Sequence, residues 1–231
     1  MRQFFRWAPV SLLLALASAL PAEQAVPNWP MAKAVEILNS SPWARHETFT
    51  RVIGGVGSGV SGEKEIFDTF YVRFLSARPI REAFARLQQI QYGYDRLDGE
   101  SKLRFDALLR SGLQLDVDRW IVVAVSFRSN DPNEESAARR FFQKETAETL
   151  KRKAFLATED FPQIPVAAYF PPREEGVGAK FVFPRTINGA PVVSRTGKKI
   201  VFELLDVPGA EPKLRASFTI RDMLVDGNLI F

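Results

Sequence analysis

Hydrophobic and polar positions change rhythm several times along the chain, and each change predicts an element. Residues 31–43, "MAKAVEILNSSPW", carry helical spacing with Val35 and Leu38 on one side, and Pro42 stops the helix. Residues 47–53 alternate around β-branched side chains and predict a strand. Residues 65–76 predict a stronger one, with Ile66, Phe70, Val72 and Phe74 on one face. Asp68 interrupts that face, and the expectation is an ion pair with a nearby arginine such as Arg73, or a place near the strand end.

The period then lengthens. Pro79 suits a first helical turn, and Ile80, Phe84, Leu87 and Ile90 form a stripe over residues 79–91. A second helix is expected over residues 99–111, with Leu103, Leu108 and Leu109 as its apolar positions and Gly112 as its cap. Residues 119–128, "RWIVVAVSFR", are almost continuously apolar and β-branched, which predicts a central strand covered on both faces. Asp131 caps the next helix, Pro132 takes its first position, Glu134 stands where a capping-box acid belongs, and "KRK" at 151–153 closes it. Glu135–Arg139 and Glu148–Arg152 are spaced as i,i+4 pairs, so this basic and acidic helix reads as a solvated face.

From residue 154 the runs are short and strand-like. They are separated by the turn signals Asn188-Gly189, Thr196-Gly197, Pro208-Gly209 and Asp226-Gly227. The expected class is α+β, with helices and a hairpin in the N-terminal half and an antiparallel β-meander in the C-terminal half. A mixed α/β part (23–153) and an antiparallel part (154–231) are expected to pack as one globular unit.

The first residues change the picture of where the protein works. Arg2 and Arg6 precede an apolar run from Trp7 to Leu20, closed by small residues, which is the pattern of a secretory signal peptide over residues 1–22. Cleavage fits after Ala19 or after Ala22, and a retained segment is the alternative. No later run is apolar enough to predict a span, so export to the periplasm or the extracellular space is expected. The chain has no cysteine, so neither a disulfide nor a lipidated cysteine contributes. Its 31 Lys and Arg face 27 Asp and Glu, and without Arg2 and Arg6 the balance is 29 against 27. So small an excess on an exported chain argues against a nucleic-acid partner.

Candidate chemistry concentrates in "RVIGGVGSGVSGEKEIF" at 51–67. Gly57, Gly59 and Gly62 match a dinucleotide fingerprint, but strand alternation follows where a phosphate-binding helix is required. Ser61 and Lys64 are spaced as the S-x-x-K of serine–lysine acyl enzymes, although Ser61 lies in a glycine loop and not at a helix start. They are the catalytic candidates. Asp95, Asp98 and Glu100 surround Gly99 and offer oxygen ligands for calcium, with helix capping and turn formation as the competing account. His46 is the only histidine, which leaves imidazole–metal and thiolate chemistry without ligands, and no cofactor is implied. The loop itself reads as the tip of a hairpin joining 47–53 to 65–76.

"SPWAR" (41–45), "VRFLSARPIREAFARL" (72–87), "KFVFPR" (180–185) and "RDMLVDGNLIF" (221–231) together resemble a group of uncharacterised exported bacterial proteins. That resemblance implies export and assigns no site residue. The expected function is a non-enzymatic binding or interaction module of the cell envelope or extracellular space. Nineteen phenylalanines are many for a chain of this size; most are expected in the core, and an excess lining an apolar groove would fit an apolar ligand or another envelope protein as partner. The alternatives are a hydrolase, through Ser61 and Lys64 or a carboxylate pair, and a structural envelope component.

Overall fold

The computed structural model describes residues 26–54, 63–113, 115–173 and 177–231. The signal-like segment with both cleavage positions, and the glycine tip with Ser61, lie outside the described residues. The chain is α+β. In order it forms α1 (Met31–Asn39), β1 (Ala44–Ile53), β2 (Lys64–Phe74), α2 (Arg78–Gln91), a 3₁₀ turn (Tyr94–Arg96), α3 (Gly99–Leu113), β3 (Trp120–Ser129), α4 (Pro132–Lys144) and α5 (Ala147–Leu150). The strands β4 (Ala154–Ala157), β5 (Ile164–Pro165), β6 (Ala168–Phe170), β7 (Ala179–Pro184), β8 (Thr186–Ile187), β9 (Ala190–Pro191), β10 (Lys199–Leu205), β11 (Lys213–Thr219), β12 (Leu224–Val225) and β13 (Asn228–Leu229) follow. Among the described residues no helix is long and apolar enough to cross a membrane.

Two antiparallel sheets carry the fold. The first has the order β1-β2-β3-β7-β6, the second β11-β10-β4-β5. The strands after residue 154 therefore divide between them: β6 and β7 return to pair beside β3, and the others build the second sheet. β1 and β2 form the expected hairpin, in register from Ala44↔Arg73 to Ile53↔Lys64. β3 occupies the centre of its sheet, as its continuous apolar run requires.

Alternation assigns the faces. Ile66, Asp68, Phe70, Val72 and Phe74 are all buried, and register places Val123, Val125 and Phe181 on the same side. This inner face meets the second sheet. Phe74 packs edge-on to Phe218 at 4.7 Å, and Phe181 and Phe183 meet Phe202 at 5.3 and 6.3 Å. One continuous buried cluster runs through both sheets. The last residues close onto it: the Trp43 indole donates to the Ile230 carbonyl, Arg185 donates to the Phe231 carbonyl, and the Phe231 ring lies under the Arg185 guanidinium at 4.3 Å.

The outer face of the first sheet takes α1, α2 and α3, whereas α4 meets the inner-face side through the Arg51–Glu134 ion pair and the Tyr169 hydroxyl, which donates to the Phe142 carbonyl. α1 buries Ala34, Ile37 and Leu38; Val35, expected on its inner side, is only half-buried. Arg73 fastens the C-terminal end of α1, donating to the Leu38 carbonyl at 2.6 Å, the Asn39 side chain at 3.0 Å and Ser126 Oγ at 2.8 Å. Burial lowers its guanidinium to about 10. Arg73 is thus not the partner of Asp68. Residues five apart on a strand point to opposite faces, and Asp68 pairs with Arg51 instead, at 2.9 Å.

Three other expectations change. The helix expected over 132–152 is two helices. Thr146 accepts from the Thr149 amide and Thr149 Oγ1 from the Thr146 amide, a reciprocal cap that restarts the chain as α5. α3 runs through Gly112 to Leu113 and does not close at Gly112. Neither i,i+4 pair forms: Glu135 accepts from the Ser129 amide and approaches Arg128, and Glu148 pairs with Lys151 at 2.7 Å. The turn signals fare better. Asn188-Gly189 and Asp226-Gly227 take positive φ at both residues, joining β8 to β9 and β12 to β13 as two-residue hairpins.

Candidate ligand-binding cleft

Of the two catalytic candidates only Lys64 is described, and it opens β2 in the last pair of the hairpin, Ile53↔Lys64. Its ammonium donates to Asp131 Oδ2 at 2.7 Å, which holds the start of β2 against the N-terminal cap of α4. Asn130 strengthens the same junction, donating to the Glu65 carbonyl and accepting from the Phe67 amide, each at 2.9 Å. The acid expected to complete a capping box, Glu134, turns instead to Arg51 at 2.9 Å.

Asp131 carries two tasks here. It caps α4 by accepting from the Asn133 amide at 2.8 Å, and it receives Lys64. The Lys64 ammonium first, and the Asn133 amide second, hold its carboxyl below the usual carboxylate value. A depressed folded value adds stability that is complete above the unfolded value of about 4 and is lost as pH falls through the folded one. Asp131→Asn, which keeps a capping acceptor, is accordingly expected to show a shallower loss of urea midpoint below about pH 4 than the parent. Parallel slopes for the two proteins would refute this linkage.

The calcium candidates are placed apart in role. Asp98 Oδ1 accepts from the Ser101 amide at 2.8 Å, which caps α3 and holds the Asp98 carboxyl below its ordinary value. Glu100 faces Arg104 at 3.4 Å on the exposed side of α3. Asp95 lies in the 3₁₀ turn, whose Tyr94 hydroxyl donates to Asp106 at 2.8 Å. Among the described residues no group of three or more His, Cys, Asp or Glu is placed to hold a metal ion.

A concave site lies elsewhere, over the outer face of β3, β7 and β6. Register puts Val122 opposite Val182, Ala168 opposite Val182, and Phe170 opposite Lys180. Val122, Val182, Phe170 and Lys180 make the floor, on the face of the sheet opposite Phe181 and Phe183. α2 supplies a wall with Phe84, Gln88 and Tyr92, and α3 supplies another with Ser101, Phe105 and Leu109. The space enclosed is about 810 Å³. That lies within the range of about 300–1,000 Å³ typical of small-molecule sites.

α3 forms this wall and meets the core at its last residue, Leu113; none of its described side chains is fully buried. Its leucines divide. Leu109 and Leu108 line the cleft, Leu108 at its rim with 74% exposed, whereas Leu103, 67% exposed, does not line it. Aromatic contacts of Phe105 with Tyr92 and Tyr94, at 5.9 and 5.3 Å, attach the helix to the end of α2. The apolar spacing of residues 99–111 signalled the helix correctly, and its leucines line the cleft or face solvent.

Among the described residues the charged side chains lining the cleft are Arg104, Arg173 and Lys180. Burial, and then the positive charge of Arg173, hold the half-buried Lys180 amine below the usual lysine value. At the far rim, Gly178 has φ +107°, and a Cβ there would lie 2.2 Å from the Val125 carbonyl oxygen. Only glycine lets β7 start this close to β3. Phe84, Leu108 and Leu109 were read from the sequence as apolar helix positions, and none of the cleft residues as a ligand contact. The available signal was β7 itself: in "KFVF", Lys180 and Val182 alternate with two buried phenylalanines, marking a second face that is also partly covered. No family model, no curated protein and no solved structure matches the chain.

Proposed function

We propose that the protein is an exported, non-enzymatic binding module of the cell envelope or extracellular space, and that the cleft between α2, α3 and the outer face of β3-β7-β6 takes an apolar small molecule. The cleft carries the reading. It combines the volume of a ligand site with a lining dominated by Phe84, Phe105, Leu109, Val122, Phe170 and Val182. Export rests on the signal-like pattern of residues 1–22 and on the resemblance to exported proteins.

A neutral apolar fluorophore, N-phenyl-1-naphthylamine, tests the site. Saturable enhancement at one molecule per chain is expected. Leu109→Trp, which fills the cleft, is expected to weaken binding at least tenfold, or about 1.4 kcal/mol. Leu103→Ser, on the outward side of α3, is expected to leave it unchanged. Non-saturable enhancement, or equal binding by both variants, would remove the cleft as the site.

A further inference from the structure

β1 is one edge of the five-stranded sheet, and the direction of its backbone groups follows from β2. The Phe67 amide donates away from β1, to Asn130, whereas the Phe74 amide donates toward it, to the Trp43 carbonyl. Amide direction alternates along a strand, so Ile66, Asp68, Phe70 and Val72 face β1 and bond with their register partners Arg51, Phe49, Glu47 and Arg45. The N–H and C=O groups of His46, Thr48, Thr50 and Val52 therefore point off the edge, and all four residues are exposed. Near the start of β1 the Arg45 side chain donates to the Ser217 carbonyl of β11 at 3.2 Å, but no backbone hydrogen bond joins these two strands among the described residues. An open edge of this kind is a template for another strand.

The side chains of β1 select the strand that fits. Charges on an edge strand commonly block pairing. On β1 they have both signs and are spaced to complement themselves. Glu47 has no ion-pair partner among the described residues, and residues 55–62, which follow β1, carry no charge. Arg51 holds Asp68 and Glu134 through Nη2, and a guanidinium has five N–H donors, so it has capacity for a third carboxylate. When two copies of β1 run antiparallel about Phe49, Thr48 exchanges backbone hydrogen bonds with the second copy's Thr50, and His46 with its Val52. The same register sets Glu47 opposite the second copy's Arg51 on both sides of the axis, in the closer, non-hydrogen-bonded type of pair with Cα atoms about 4.5 Å apart. A slip of two residues one way sets Arg45 against Arg51, and the other way sets Glu47 against Ile53.

We propose that β1 docks against β1 of a second copy of the chain in this register, joining two five-stranded sheets into one across a two-fold axis. The surface is separate from the cleft, which lies over β3, β7 and β6.

Sedimentation velocity of the purified protein over a concentration series tests the contact, and a reversible monomer–dimer equilibrium is expected. Proline is tolerated on an edge strand where the N–H faces solvent. Thr50→Pro is therefore expected to keep a urea midpoint near that of the parent and to stay monomeric at every concentration. Glu47→Lys, which sets like charges opposite each other, is expected to raise the dimer dissociation constant about tenfold or more. Cysteine pairing reads the register separately, in a chain that has no cysteine of its own. Thr48→Cys protein mixed with Thr50→Cys protein is expected to form a disulfide-linked dimer in air faster than either variant alone, because like positions stand more than about 7 Å apart in this register. A parent protein that is monomeric at every concentration would overturn the second copy as occupant and leave the edge to a strand of another protein. A dimer that Thr50→Pro leaves intact would overturn β1 as the contact. Crosslinking as fast within each single variant as in the mixture would overturn the register.

Discussion

Gly178→Ala unfolds at a much lower urea concentration than the parent protein, with a loss of about 3 kcal/mol or more from backbone strain and overpacking together. The residue sits at φ +107°, a region that L side chains rarely adopt, so strain arises before any contact is considered. A Cβ would also lie 2.2 Å from the Val125 carbonyl oxygen and 2.6 Å from its carbon. Both are backbone atoms of β3, and neither can rotate away as a side-chain end could. Relief requires the start of β7 to move off β3 at the Val125↔Ala179 pair, in the middle of the five-stranded sheet. Gly93→Ala is the control. Gly93 also has positive φ, +63°, but a Cβ there meets nothing within 4 Å, so its expected cost is only about 1 kcal/mol. A Gly178→Ala loss no larger than that of Gly93→Ala would show that β7 yields without cost. Because Gly178 and Lys180 border the same cleft, the Gly178 variant should also bind the apolar fluorophore less tightly.

What could be read from the chain, and what could not, follows from the reach of each signal. Alternation fixes which residues share a face, so the hairpin of β1 and β2, the central position of β3 and the buried row from Ile66 to Phe74 were all legible. Two-residue turns are encoded by their own backbone requirements, so Asn188-Gly189 and Asp226-Gly227 were legible too. Alternation does not name a strand's neighbours. β6 and β7 read as members of a C-terminal run, yet they cross back to β3, while β10 and β11 pair in the other sheet. The cleft was illegible for the same reason. Its floor comes from β3, β6 and β7 and its walls from α2 and α3, and only the tertiary arrangement gathers them. The reading of α3 shows the limit from the other side. Helical spacing of leucines is compatible with core, cleft wall and solvent, and α3 presents leucines to all three, with Leu113, Leu109 and Leu103.

Asp68 is the position where an interrupted pattern was the signal, and Arg51→Met is expected to show what it costs to hold an acid there. Asp68 lies on the buried face of β2, 1% exposed, between apolar neighbours Ile66 and Phe70. Arg51 reaches it diagonally across the hairpin, because Arg51 pairs with Ile66 in register and shares its face. The Arg51 guanidinium donates to Asp68 Oδ2 and to Glu134 Oε1, each at 2.9 Å. Asp68 Oδ1 has no hydrogen-bond partner, and Gly209 packs so near that a Cβ on it would come within 3.2 Å of the carboxylate. Arg51 is therefore the only hydrogen-bonding compensation for a desolvated charge among the described residues. Removing one partner of a fully buried pair costs about 3–5 kcal/mol; Arg51 is half-exposed, so about 2 kcal/mol is expected by urea unfolding at pH 7. The second substitution makes the argument specific. If the cost lies in the abandoned carboxylate and not in lost packing of the arginine stem, Arg51→Met/Asp68→Leu should be about 1 kcal/mol more stable than Arg51→Met alone. Glu134→Gln, which leaves Asp68 its partner, should cost less than Arg51→Met. A double variant no more stable than the single one would mean that Asp68 contributes through shape at this position, and that Arg51 contributes through packing rather than charge.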